Sequence, residues 1–119
     1  MEVQIFGTKK NADTRAALRF FAERRIRTHF VDLMERAAAP GELKRFAQKF
    51  GVAALVDREG KRFQELGLRH GTYSDDRWIE KLVDDPGLLV QPLVRWQQRL
   101  TLRRAEAEWK QWIEMDRQK

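Results

Sequence analysis

The chain has 119 residues, contains no cysteine and carries a formal charge of +6 at pH 7. Its length suits one domain with a single core, and the missing cysteine excludes disulfides, thiolate catalysis and Cys-ligated metal sites. Two histidines are too few and too scattered to predict a metal site. Since no apolar run could span a bilayer and the chain begins with a strand pattern instead of a leader, we expect a cytoplasmic protein without membrane contact.

The first half of the chain has the pattern of a strand, a helix and a second strand, followed by a further helix. The predicted elements are a strand at 3–6, a loop with Gly7, a helix from Asp13, a strand at 27–32 and a helix from Pro40 to Phe50, stopped by Gly51. Two strands joined through a helix predict a parallel pair with a right-handed crossover.

The second half predicts short helices and then a hairpin. The predicted elements are helical pieces over 52–68 around a polar turn at 57–60, a helix from Asp75 to Asp85 capped by Ser74, strands at 93–96 and 99–102, a helix from Ala105 to Met115, and fraying residues 116–119. The two strands about a short turn indicate that the sheet is mixed. On the last helix, Trp109 and Trp112 are interpreted as core residues, whereas Trp96 beside the turn is predicted to contact a partner.

Several segments resemble one family in the right order. The pattern N-x-x-T-R at Asn11 to Arg15 resembles the C-x-x-S-R or C-x-x-C motif of the ArsC-type arsenate reductases and their Spx-like relatives, which have the thioredoxin fold. Glu42–Leu43, Glu65–Leu68 and Gln91–Val94 resemble the family's E-L, L-G-L and R-P-[IL]-V segments. The resemblance implies an α/β, thioredoxin-like fold with a mixed four-stranded sheet. It further implies that residues 1–119 form a single ArsC-like thioredoxin-fold domain, similar also to glutaredoxins, with a helical insertion at about 36–90.

The resemblance also implies a cleft at the start of the first helix. In this family the cysteine is the nucleophile, but here its position holds Asn11. The proline before the hairpin, Pro92, is expected to be cis and to lie near Asn11. Of four positions where the reductases hold an oxyanion with arginine, Arg15 and Arg104 match, while Gln91 and Asp57 do not, although Arg58 is adjacent to Asp57. The candidate ligand cleft comprises Lys10, Asn11, Thr14, Arg15, Gln91, Pro92 and Arg104.

Two interpretations of the loop before the helix remain open. Lys9, Lys10, the helix N-terminus and Arg104 together are suited to attract an anion. Alternatively, Asn11 only caps the helix and the two lysines point into water, and Asp13 would compete with an anion for the helix dipole. Capping alone explains an asparagine at this place, so the second interpretation is favoured.

Two functional hypotheses follow. The first is an ArsC- or Spx-family protein without redox chemistry that binds a protein partner, with the transcription machinery a candidate because Spx-like relatives contact RNA polymerase. The alternative is an arsenate-reductase-like protein that binds glutathione or an oxyanion in the same cleft; no other cofactor and no metal is expected. Direct nucleic-acid binding rests on charge alone, and acidic residues interspersed along the chain argue against it.

Overall fold

The computed structural model describes all 119 residues apart from the side chain of residue 70. The chain forms two compact units, one of residues 1–33 and 91–119 and the other of residues 34–90. In chain order the elements are β1 (Glu2–Gly7), α1 (Ala12–Glu23), β2 (Arg27–Asp32), α2 (Pro40–Phe50), α3 (Val52–Leu55), α4 (Lys61–Glu65), α5 (Asp75–Asp84), β3 (Leu93–Trp96), β4 (Arg99–Leu102) and α6 (Glu106–Arg117), with 3-10 turns at Leu68–His70 and Pro86–Leu88. Among the described residues, every helix falls short of the length and apolar character that crossing a membrane requires.

The first unit contains a four-stranded sheet with the order β2-β1-β3-β4. β1 runs parallel to β2, with Ile5 opposite Phe30, and antiparallel to β3, with Ile5 opposite Val94. β3 and β4 form the predicted antiparallel hairpin. The mixed sheet and the thioredoxin-like α/β fold are therefore confirmed.

The core of this unit lies between the sheet and the helices α1 and α6. Trp109 is fully buried, and its ring centroid lies 5.3 Å from those of both Phe20 and Phe21 on α1. Its indole N–H donates to the buried Thr101 hydroxyl at 2.8 Å. Trp112 is also buried. The core assignment of both tryptophans is thus confirmed.

Two predictions for the end of the chain are wrong. Trp96 is only 3% exposed and packs near Trp112, with ring centroids 6.2 Å apart, so it is a core residue and not a partner contact. The last helix continues to Arg117 instead of fraying from Asp116. The amino group of Met1 lies 3.8 Å from the Asp116 carboxylate, and this ion pair holds the last turn to the start of the chain.

The second unit is helical, as the pattern predicted. α2 begins at Pro40, and Gly51 follows it with a φ of 83°, a conformation that suits glycine. The Ser74 hydroxyl accepts a backbone N–H from the first turn of α5, so the predicted cap is confirmed.

The second unit also contains a close ion pair. Arg62 donates to the Asp85 carboxylate at 2.5 Å, and this hydrogen bond, together with the charge of Asp85, raises the pKa of the Arg62 guanidinium.

Candidate functional site

Asn11 is the N-cap of α1. Its Oδ1 accepts the backbone N–H of Thr14 at 2.8 Å, and its own N–H donates to the carbonyl of Thr8 at 3.1 Å, which closes the loop after β1. Asn11 therefore caps the helix, as predicted. The side chain is half-buried, and its Oδ1 is already used by the cap. Its Nδ2 group is the part that can contact a ligand, as a hydrogen-bond donor.

Gln91 lies opposite this loop, at the start of the hairpin. The Gln91–Pro92 peptide bond is cis, which confirms that expectation. The Gln91 side chain is buried, and its Oε1 accepts the Thr8 N–H at 2.8 Å and the Thr8 hydroxyl at 3.0 Å. Where the family places an arginine, this chain thus presents a neutral acceptor, and that acceptor already binds a backbone N–H of the loop.

The Thr14 hydroxyl is enclosed between these two amides. Thr14 has no exposed surface, and its Oγ1 lies 3.2 Å from Asn11 Oδ1 and 3.4 Å from Gln91 Oε1. A Cβ added to Gly7 would lie 2.8 Å from Thr14 Cγ2, so a glycine is required where β1 passes this side chain. The structure therefore places Thr14 inside a hydrogen-bonded cluster, where two acceptor oxygens share its single O–H proton.

The charged residues of the loop face outward. Lys9 and Lys10 are exposed, and the exposed Arg15 donates to both of their carbonyls, at 2.8 and 2.9 Å. Arg15 therefore braces the loop from outside. The three cations, with Asp13 in the first turn, leave the loop with a formal charge of +2 that attracts anions at a distance.

Arg104 contacts a different set of residues. Its guanidinium pairs with Glu106, with Nε 3.4 Å from Oε2, and it lines a groove formed by α1 and α6. No hydrogen bond or ion pair between described residues joins it to Asn11 or Gln91. The structure thus links Lys10, Asn11, Thr14, Arg15 and Gln91 through direct or shared hydrogen bonds. Pro92 is joined to Gln91 by the cis peptide bond, and Arg104 lies with the outer faces of the two helices.

The two positions that resemble the family's remaining arginine lie in the second unit. Asp57 donates its backbone N–H to the Leu88 carbonyl at 2.8 Å. The Arg58 guanidinium lies 5.7 Å from the ring centroids of Phe63 and Trp78, at cation–π distance from both. Arg58 therefore belongs to an aromatic cluster of that unit.

Thr8 is a site residue that the sequence did not indicate. It is only 8% exposed, and both its N–H and its hydroxyl donate to Gln91, which is distant in the chain. A threonine beside two lysines gives no local signal for such a contact.

The arrangement as a whole is a neutral cluster of amides and hydroxyls that bond to one another, and it contains no thiol nucleophile. Among the described residues, no group of three or more histidine, aspartate and glutamate side chains is placed to hold a metal ion.

Comparison with known proteins identifies the family of this scaffold. The model of the ArsC family matches residues 6–112. The chain is 29% identical over 96 residues to an arsenate reductase of Neisseria meningitidis serogroup B, covering 78% of this chain and 82% of that protein. It is 27% identical to a putative arsenate reductase of Neisseria gonorrhoeae, covering 78% and 94%.

Solved structures agree with the sequence matches. An arsenate reductase from Vibrio cholerae superposes with a TM-score of 0.74 and 25% identity, covering 89% of this chain and 91% of that one. A putative ArsC family related protein from Bacteroides fragilis has a TM-score of 0.80 and 18% identity, covering 93% and 97%. With the family model spanning most of the chain, this protein belongs to the ArsC family.

Proposed function

We propose that this protein is a cysteine-less member of the ArsC family that acts in the cytoplasm by binding a protein partner, without thiol redox chemistry. In this proposal residues 1–119 work as one domain with the helical unit as an insertion. The transcription machinery is a candidate partner, from the resemblance to Spx-like proteins.

The observation that carries the proposal is the contact between Gln91 and Thr8. Gln91 Oε1 accepts the Thr8 N–H at 2.8 Å, inside the loop that would have to present its N–H groups to an oxyanion. An oxyanion bound there would compete with this buried intramolecular bond, and glutamine supplies no compensating charge. A chain without cysteine also offers no thiol for the redox step, so in this proposal the cleft lacks both the nucleophile and a free anion site.

An arsenate reduction assay tests the absence of chemistry. The wild-type protein is incubated with arsenate, glutathione and glutaredoxin, and arsenite is measured directly. We expect no arsenite above the protein-free control. Turnover by the wild-type protein would overturn the proposal.

The Asn11→Cys variant serves as a matched control for the scaffold. A cysteine at this helix N-terminus is expected to have a thiol pKa below the ordinary value of about 8.5 and to react with iodoacetamide near neutral pH. We expect this variant still not to reduce arsenate, because Gln91 continues to occupy the loop N–H. A reactive thiol without arsenate reduction would indicate that the helix N-terminus still stabilises a thiolate, whereas the loop does not bind arsenate.

The alternative, a binder of glutathione or an oxyanion, is favoured by one observation. Asn11 Nδ2 and the cis bond before Pro92 belong to the same small cluster, as they would in a cleft that receives an extended peptide. Titration of the ¹⁵N-labelled protein with glutathione, arsenate and phosphate separates the two proposals. Saturable amide shifts confined to residues 7–14 and 91–95 would favour the alternative, whereas unchanged spectra at millimolar ligand would favour protein binding.

A further inference from the structure

We propose that a groove between α1 and α6 is the docking site for an acidic segment of a protein partner. This inference rests on the proposed binding function and adds the chemical class of the partner. The groove has a volume of about 220 Å³. It is called the α1–α6 groove below and is lined by Ala16, Arg19, Phe20, Glu23, Arg24, Arg104, Glu106 and Lys110.

The α1–α6 groove has an excess of positive charge. Four of its side chains are cationic and two are acidic, which gives a formal charge of +2. Arg19 and Lys110 are exposed, and neither takes part in the ion pairs found among the described residues. Two cations facing one groove without carboxylate partners are complementary to a ligand that brings carboxylates of its own.

The remaining two cations are held in place by the protein. The Arg24 guanidinium lies 3.7 Å from the ring centroid of Phe20, and its NH1 donates to the Phe20 carbonyl at 2.9 Å. Arg104 is held by Glu106, as described above. Because these side chains are already ordered, less conformational entropy is lost when a ligand binds them.

The lining favours an acidic protein segment over a nucleic acid. Phe20 is only 4% exposed, so the groove offers no open aromatic face for base stacking. A groove of this size also contacts few phosphates, while high-affinity phosphate binding needs many.

Charge-reversal variants of the full chain test the proposal. The probe is a fluorescein-labelled glutamate decapeptide, and its binding is followed by fluorescence anisotropy at low salt. The test variant is the double substitution Arg19→Glu and Lys110→Glu. The control is Arg36→Glu with Lys61→Glu, which changes the net charge equally at exposed positions of the other unit.

We expect the wild type and the control to bind the peptide with similar affinity and the test variant to bind it roughly tenfold more weakly. The estimate follows because each exposed ion pair contributes a factor of about two to five and each reversed charge adds repulsion. Equal weakening in test and control variants would overturn the groove assignment, since only net charge would then matter. Absence of wild-type binding would also overturn it.

A labelled deoxythymidine decamer of similar charge is titrated in parallel. Tighter binding of this oligonucleotide than of the glutamate peptide, with loss in the test variant, would assign the groove to nucleic acid and overturn the proposal. Circular dichroism confirms that both variants are folded. These outcomes are independent of the arsenate assay, so a failed groove assignment and a failed functional proposal are distinguished.

Discussion

Replacing Gln91 by methionine removes the acceptor at the centre of the candidate site while keeping the length of the side chain. The Thr8 N–H then loses its partner at 2.8 Å in a place where Thr8 is only 8% exposed. A buried N–H without an acceptor costs about 1–3 kcal/mol. The Thr14 hydroxyl keeps Asn11 Oδ1 at 3.2 Å, whereas the Thr8 hydroxyl also loses its acceptor at 3.0 Å. Because a hydroxyl can rotate toward another acceptor, the fixed backbone N–H is the main loss. Burying the more apolar methionine offsets roughly 0.5–1 kcal/mol, which leaves a net destabilisation of about 1–2 kcal/mol.

Urea unfolding followed by tryptophan fluorescence measures this loss, since the buried Trp109 reports on the same unit. Thermal unfolding should show the melting temperature lower by roughly 3–8 °C. The matched control is Gln48→Met, the same substitution at an exposed position of α2, which should change stability by less than about 0.5 kcal/mol. If Gln91→Met unfolds at the wild-type urea concentration or above it, the Gln91 acceptor does not stabilise the loop and the reasoning is refuted.

Two further substitutions test the packing around the site and in the core. Gly7→Ala should lower the free energy of unfolding by about 1–3 kcal/mol, because the new Cβ would lie 2.8 Å from Thr14 Cγ2. Gly41→Ala, where an added Cβ would meet no neighbouring group within 4 Å, should be neutral or slightly stabilising. Equal destabilisation of the two variants in urea would contradict this reasoning. Thr101→Val should cost about 1–3 kcal/mol because the buried Trp109 N–H loses its acceptor. The penalty should largely disappear in a Trp109→Phe background, and a cost that persists there would argue against the bond.

The strands and helices could be predicted because their signals are local. The strand at Arg27–Asp32 is bounded as the sequence indicated, and so are both strands of the hairpin. Pro40 and Gly51 mark the ends of α2 through backbone preferences that hold in any fold. Capping residues act in the same way, so the position of Asn11 is enough to predict that it caps α1.

The burial of Trp96 could not be predicted locally, because it depends on a helix that follows later in the chain. Gln97 adopts a φ of 56° in the hairpin turn, and the Trp96 ring packs near Trp112 on α6. The last turn of α6 is likewise held by the amino group of Met1, from the opposite end of the sequence. Only the folded chain brings these pairs together, so a position beside a turn was a poor guide to exposure.

The candidate site combines both kinds of information. Sequence resemblance identified Asn11 and Gln91 as positions of interest, but it described each as the loss of a cysteine or of an arginine. The contact geometry instead shows that Gln91 takes the place of an anion. Its Oε1 accepts the Thr8 N–H and the Thr8 hydroxyl, which are donors of the kind that an oxyanion also binds. Arginine has five donors and no acceptor, so at this position it would leave the Thr8 N–H without a partner unless an anion lay between them. Glutamine supplies the acceptor itself, so both Thr8 donors are satisfied without an anion.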